Sequence, residues 1–247
     1  MDISIKPQEY YYLYSRTSAL PQELIKYTFQ SLILEGHLQV YYKEIYINKN
    51  ERRKRLRLFF KLGNKYNEQA VYSKAETFVL SLFKAGEELR SYEIKNLVRD
   101  KFDDDIKKFR SEYVYEDVKA KGLCTFRIFL TTKGRAAKKN YSVLIKALEA
   151  DTDNLLKNPS VLQIHLKELG AGIIFLDDEV VKKFGLKITD IDELAAFFVP
   201  TGPMTYSSGG YYGGGFSGGG GFSGGGGGSF GGFGGGMGGG GGSGGSW

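Results

Sequence analysis

The feature that most constrains this chain is its tail. Between Ser207 and Trp247 lie 26 of its 35 glycines and no charged residue. Seven aromatic side chains punctuate the stretch from Tyr211 to Trp247. Ordering so much glycine costs more conformational entropy than seven scattered rings can return on burial. Residues 201–247 are therefore expected to be a disordered Gly-rich tail, with Tyr, Phe and Trp as weak stickers on a flexible spacer. Folding is left to roughly 200 residues, enough for a real core.

Within that part the apolar spacing alternates between helix and strand. Pro7 to Tyr14 reads as a short helix. A second helix starts at Pro21 and stops at Gly36. Leu38, Val40 and Tyr42 alternate, and Ile45 and Ile47 shift phase as if at a bulge. Leu56, Leu58, Phe60 and Leu62 alternate again, which makes a β-hairpin with a basic tip. Ser73 and Glu76 form a capping box before Ala75, Phe78, Val79, Leu82 and Phe83, with Gly86 as the stop. Helices starting at Ser91 and at Asp103–Asp105 follow, the latter ending at Gly122. Phe126, Ile128 and Leu130 read as a strand.

The order of elements predicts an α+β, mostly helical fold. Residues 1–70 and 71–134 read as two winged-helix-like units in tandem, the third helix of the second unit standing where such a fold places its recognition helix. Residues 135–200 read as a C-terminal helical segment. One helix there turns Ala137, Tyr141, Leu144, Ile145 and Leu148 inward. Another begins at Asn158-Pro159 and aligns Leu162, His165, Leu166 and Leu169.

Charge is placed unevenly. Lys43 to Lys65 holds nine basic residues against Glu44 and Glu51, a balance of +7 in a chain whose net charge is +6. Arg53, Arg55 and Arg57 alternate with Leu56 and Leu58 and so share one face of the hairpin. Arg52, Arg53, Lys54, Arg55 and Arg57 are the candidate phosphate- or partner-binding residues. A basic edge that discourages strand-to-strand aggregation explains the same pattern. The helix over 104–121 mixes lysine and arginine with as many acids, which suits DNA poorly.

Catalytic, cofactor and metal sites are not expected. The chain has two histidines, and neither His37 nor His165 has a metal-ligand pattern around it. Cys124 is the only cysteine; it reads as a small core residue, and a chain without disulfides suits a reducing compartment. Asp103–Asp105 and Asp177–Glu179 read as acids at helix starts rather than cation ligands. Tyr10, Tyr11, Tyr12 and Tyr14 read as packing against the first hairpin. No apolar run is long enough to span a bilayer, and the first residues lack a signal-peptide pattern.

From Leu148 the chain runs through Leu155, Leu156, Asn158, Pro159, Leu169, Gly170, Lys183 and Phe184. This segment, with the Gly-Phe-Ser repeats and the final Ser-Trp, resembles the C-terminal cytoplasmic region of the YciQ-like bacterial predicted membrane proteins, a family of unknown function. The resemblance implies a cytoplasmic place, peripheral to the inner face of the membrane, and brings no catalytic residue. The expected function is a non-enzymatic protein-interaction module with an unidentified protein partner. The alternative is a binder of nucleic acid or an anionic membrane surface through the basic hairpin, residues 49–57.

Overall fold

The computed structural model describes residues 5–46, 54–102 and 105–186, together with Ile188 and Ile191. The hairpin tip and the Gly-rich tail, with the expectations placed on them, lie outside the described residues. The chain is α+β and mostly helical, with one small antiparallel sheet.

Helices α1 (Pro7–Ser15) and α2 (Pro21–Glu35) lead into strands β1 (Leu38–Ile45) and β2 (Arg55–Leu62). Proline opens each helix, where its missing amide costs nothing. Gly36 closes α2 at φ 81°, a left-handed cap that a Cβ would strain. The hairpin pairs without a break from Leu38↔Leu62 to Ile45↔Arg55. No bulge interrupts the paired residues up to Ile45; Ile47, the other residue of the expected bulge or bend, lies outside the described residues.

Helix α3 (Lys74–Leu80) has the expected capping box: Ser73 Oγ accepts from the Glu76 amide, and Glu76 accepts from Ser73. It ends at Ser81, earlier than Gly86 suggested. Leu82 and Phe83 are buried all the same, carried inward by successive turns beyond the helix. Strand β3 (Leu89–Arg90) joins β2 through Phe59↔Arg90 and Phe60↔Leu89, giving the sheet order β1-β2-β3. Helix α4 (Ser91–Phe102) follows, then a π-helical stretch (Phe109–Val114) running into α5 (Tyr115–Ala120).

The strand expected over Phe126–Leu130 is a correction. Only Cys124 and Leu130 form a bridge, and the residues between them turn in solvent. Both ends are tied to one place, since the Thr131 amide donates to Leu123 O at 3.1 Å. So short a closed loop has no room to run as a strand across the sheet.

Helices α6 (Thr132–Ala150), α7 (Thr152–Lys157), α8 (Pro159–Leu169) and α9 (Asp178–Lys183) complete the described chain. Ala137, Tyr141, Ile145 and Leu148 of α6 are buried as expected, with Leu144 packed at the margin. Buried side chains from Ile5 to Ile191 form one continuous cluster, drawn from all three segments marked out in the sequence.

The N-terminal tyrosines are core residues, but not against the hairpin. Tyr10 packs at a tilt on Tyr141 (4.5 Å between centroids) and edge-on against Phe175 (5.1 Å), Tyr11 edge-on against Tyr27, and Tyr12 at a tilt against Tyr115. Helix α1 thus joins the C-terminal helices to α2 and α5. The reason is topological: α1 lies between elements distant in sequence, which local periodicity does not register.

Candidate anion-binding hairpin

The hairpin outgrows the core beneath it. Along β2, Leu58 is 2% exposed, yet Leu56, two residues on and on the same face, is 58% exposed. Tyr42 and Tyr46 on β1 and just past its end are also more than half exposed. The strands continue to pair beyond the last contact with the helices, and their far end stands in solvent.

On the opposite face the register brings Lys43 beside Arg57 and Ile45 beside Arg55. Lys54 and Arg55 are exposed and Arg57 is half-buried. Arg52 and Arg53 lie outside the described residues. The expected row of arginines on one face therefore holds for Arg55 and Arg57, and Lys43 and Lys61 extend it toward the sheet.

Aromatic rings lie under these charges. Lys54 Nζ stands 5.6 Å from the Tyr46 ring, Lys43 Nζ 5.5 Å from Phe59, and Lys61 Nζ 5.3 Å from Tyr41. Tyr41 and Phe59 stack at 6.0 Å. Flat rings hold the ammonium groups outward and partly desolvate them. Glu88 meets the row: it accepts from Lys43 at 3.0 Å, and its carboxyl is held low by the Tyr41 hydroxyl and by Lys43. The basic row can hold an anionic surface electrostatically, while Tyr42 and Leu56 offer apolar contact on the other face.

The other candidates fall into structural roles. His37 Nδ1 lies 3.0 Å from Lys65 O and 3.3 Å from the Tyr72 hydroxyl, which pins the loop after β2. His165 faces Glu168 at 3.9 Å on the half-buried side of α8. Cys124 is buried, and that burial pushes its thiol up, away from reactivity. Asp177 caps α9 through the Glu179 amide. With Glu149, Asp151, Asp153 and Glu179 it lines a shallow cleft of about 520 Å³. Burial pushes the Glu149 carboxyl up there. Among the described residues no three His, Cys, Asp or Glu converge as metal ligands. Asp103 and Asp104 lie outside the described residues.

Among the described residues two further apolar groups stand exposed that apolar spacing alone does not mark as such. One is Leu156, Val161 and Ile164 on α7 and α8; the other is Phe126, Ile128 and Phe129 on the loop before α6. For the loop a signal was present: Val118 to Leu148 contains eight lysines and arginines and no acid. The net balance of the whole chain hides it, because acids elsewhere cancel the charge.

No family model, curated protein or solved structure matches the chain.

Proposed function

We propose that this chain is a non-enzymatic protein-interaction module and that the β1–β2 hairpin is its docking element. The observation that carries the reading is the overhang. Leu56 and Tyr42 are held in solvent on paired strands, with Tyr46 just past the end of β1; Lys54 shares their face, and Lys43, Arg55 and Arg57 occupy the other. Exposed apolar contact with cations outnumbering Glu44, which stands exposed opposite Leu56, suits a mainly acidic partner surface. In this reading residues 1–70 and 71–134 act as two winged-helix-like units, with the hairpin as the wing of the first. The chain works in the bacterial cytoplasm, held near the inner face of the membrane by its partner. The Gly-rich tail adds weak multivalent contacts.

A second reading rests on the Tyr46–Lys54 pair. A ring and a cation side by side also suit a nucleotide, and the arginine row suits the phosphates of nucleic acid or lipid.

Co-purification from the native cell tests the choice, comparing the full chain with one in which Arg52, Arg53, Arg55 and Arg57 are changed to Ser. A defined protein that is lost with the arginines is the expected result. Nucleic acid or lipid in its place, lost with the same change, overturns it in favour of the second reading. A partner retained regardless of the arginines moves the docking surface off the hairpin.

A further inference from the structure

The loop between α5 and α6 presents apolar side chains that no core contact explains. Phe126 is 70% exposed, Ile128 52% and Phe129 64%. Their backbone is nonetheless fixed. Thr125 N–H donates to Phe129 O at 3.0 Å, and Phe129 N–H to Phe126 O at 3.1 Å. The Tyr12 hydroxyl, from α1, donates to Arg127 O at 3.1 Å. The loop is rooted by Leu123 and Cys124, both buried, and by Thr131, whose hydroxyl caps α6 through the Gly134 amide at 2.9 Å. A rigid turn holding three large apolar groups in water is costly unless they have an occupant outside the chain.

The surroundings specify the charge of that occupant. The loop lies inside the acid-free stretch Val118–Leu148, with its eight basic residues. Arg127 folds back over the Tyr115 ring at 5.8 Å, and Lys119 lies over the same ring at 5.7 Å. Lys133 Nζ donates to Lys121 O at 2.7 Å, which holds its charge at the base of the loop. Arg135 and Lys139, on the first turns of α6, are exposed. Lys121 is paired with the buried Glu9 at 2.6 Å, and Glu116 is shared by Lys119 at 3.8 Å and Lys74 at 3.7 Å. The apex is therefore apolar, and the cations sit behind it.

We propose that the turn Leu123–Thr131 is a membrane-docking tip, with an anionic lipid bilayer as its ligand. Phe126, Ile128 and Phe129 enter the interface, where aromatic and aliphatic side chains are favoured. Arg127, Lys119, Lys133 and Arg135 then lie at headgroup depth and neutralise lipid phosphates. A polyanion such as DNA matches the cations but offers no apolar phase to Ile128. The layering of apolar apex over basic collar is what favours a bilayer. This surface is separate from the hairpin, and the inference does not depend on the hairpin reading.

The test is flotation of the full-length protein with phosphatidylcholine vesicles, with and without phosphatidylglycerol. Binding to the anionic vesicles alone is expected. Changing Phe126, Ile128 and Phe129 to Ser should weaken it by roughly tenfold or more, with thermal unfolding unchanged because the side chains are already exposed. In a Phe129→Trp, Trp247→Phe variant the emission should shift to shorter wavelength on anionic vesicle addition, which reports entry rather than surface adhesion. Absence of binding to anionic vesicles overturns the proposal. So does binding that survives the triple serine change, binding without the emission shift, or binding lost only when Arg52, Arg53, Arg55 and Arg57 are changed. Tighter binding to a single-stranded oligonucleotide, insensitive to the serine changes, would assign the basic stretch to nucleic acid instead.

Discussion

Lys121, just beyond the end of α5, holds the Glu9 carboxylate of α1 at 2.6 Å, and that carboxylate is completely buried. Glu9 Oε2 also accepts the Lys6 amide at 2.8 Å, while Oε1 has no hydrogen-bond partner among the described residues. Burial pushes the Glu9 carboxyl up, further than Lys121 pulls it down. A carboxyl raised in the folded state binds more protons folded than unfolded. Its contribution therefore favours the fold at low pH and is lost as pH rises through the folded value.

Changing Lys121 to Met strands that carboxylate without its cation. The expected cost is about 3 kcal/mol near neutral pH. It should shrink as pH falls from neutral into the acid range, as Glu9 takes up a proton and no longer needs a partner. Urea unfolding of both proteins across that range measures it. A loss that does not change with pH would place the effect in packing of the lysine stem rather than in the ion pair.

Tyr141 offers a change expected to be harmless. It is buried, and its hydroxyl has no hydrogen-bond partner among the described residues. Burial pushes that hydroxyl far up, so it stays neutral. Tyr141→Phe should be neutral or stabilising, by up to about 1 kcal/mol. Gly172→Ala should do the reverse, because a Cβ there would overlap the same hydroxyl. The expected loss is about 2 kcal/mol, partly relieved in the double variant with Tyr141→Phe. Thermal unfolding of the four proteins closes the cycle. Strict additivity would show that the two positions do not meet.

Helix α3 is capped by two residues of different reach. Asp117, from α5, accepts the Lys74 amide at 2.7 Å and the Ala75 amide at 2.9 Å, while Ser73 serves Glu76. Asp117→Ala leaves two amides without partners in a buried corner and should cost about 2–3 kcal/mol, against about 1 kcal/mol for Ser73→Ala. Equilibrium unfolding of the two variants ranks them. The reverse order would mean that water replaces Asp117 at little cost.

The overhang of the hairpin can be read from stability alone. Lys54, Arg55 and Arg57 changed together to Ser should alter unfolding by less than about 0.5 kcal/mol per site. Leu58→Ala, adjacent on β2 but 2% exposed, should cost about 3 kcal/mol. A comparable loss from the basic changes would mean that these side chains support the sheet rather than project from it.

Where backbone chemistry is local, it was legible. Pro21, Gly36 and the Ser73–Glu76 box each act within one turn of the residue itself, and all three stand as read. The hairpin register follows from strict alternation, which places Arg55 and Arg57 on one face whatever lies below. What alternation does not reveal is where the core ends. Leu56 and Leu58 have the same pattern and the same side chain, and one is buried while the other is not. The apolar loop at Phe126 differs from its expectation for the same reason: Phe126, Ile128 and Leu130 alternate like a strand unless it is known that both ends meet at Leu123.

The amino-acid sequence by itself determined the start and stop of α2, the capping box that opens α3, the pairing of the hairpin, the side of it that carries arginine, and the charge-free composition of the tail. These depend on interactions a few residues long or on counting. Only the tertiary structure decided that the sheet takes its third strand from beyond α3, that the N-terminal tyrosines pack on α5, α6 and Phe175, and that Glu9 meets Lys121. Each of these joins residues far apart in the chain. Their energy is realised only once burial removes water from both partners, and no local pattern records which partner that is.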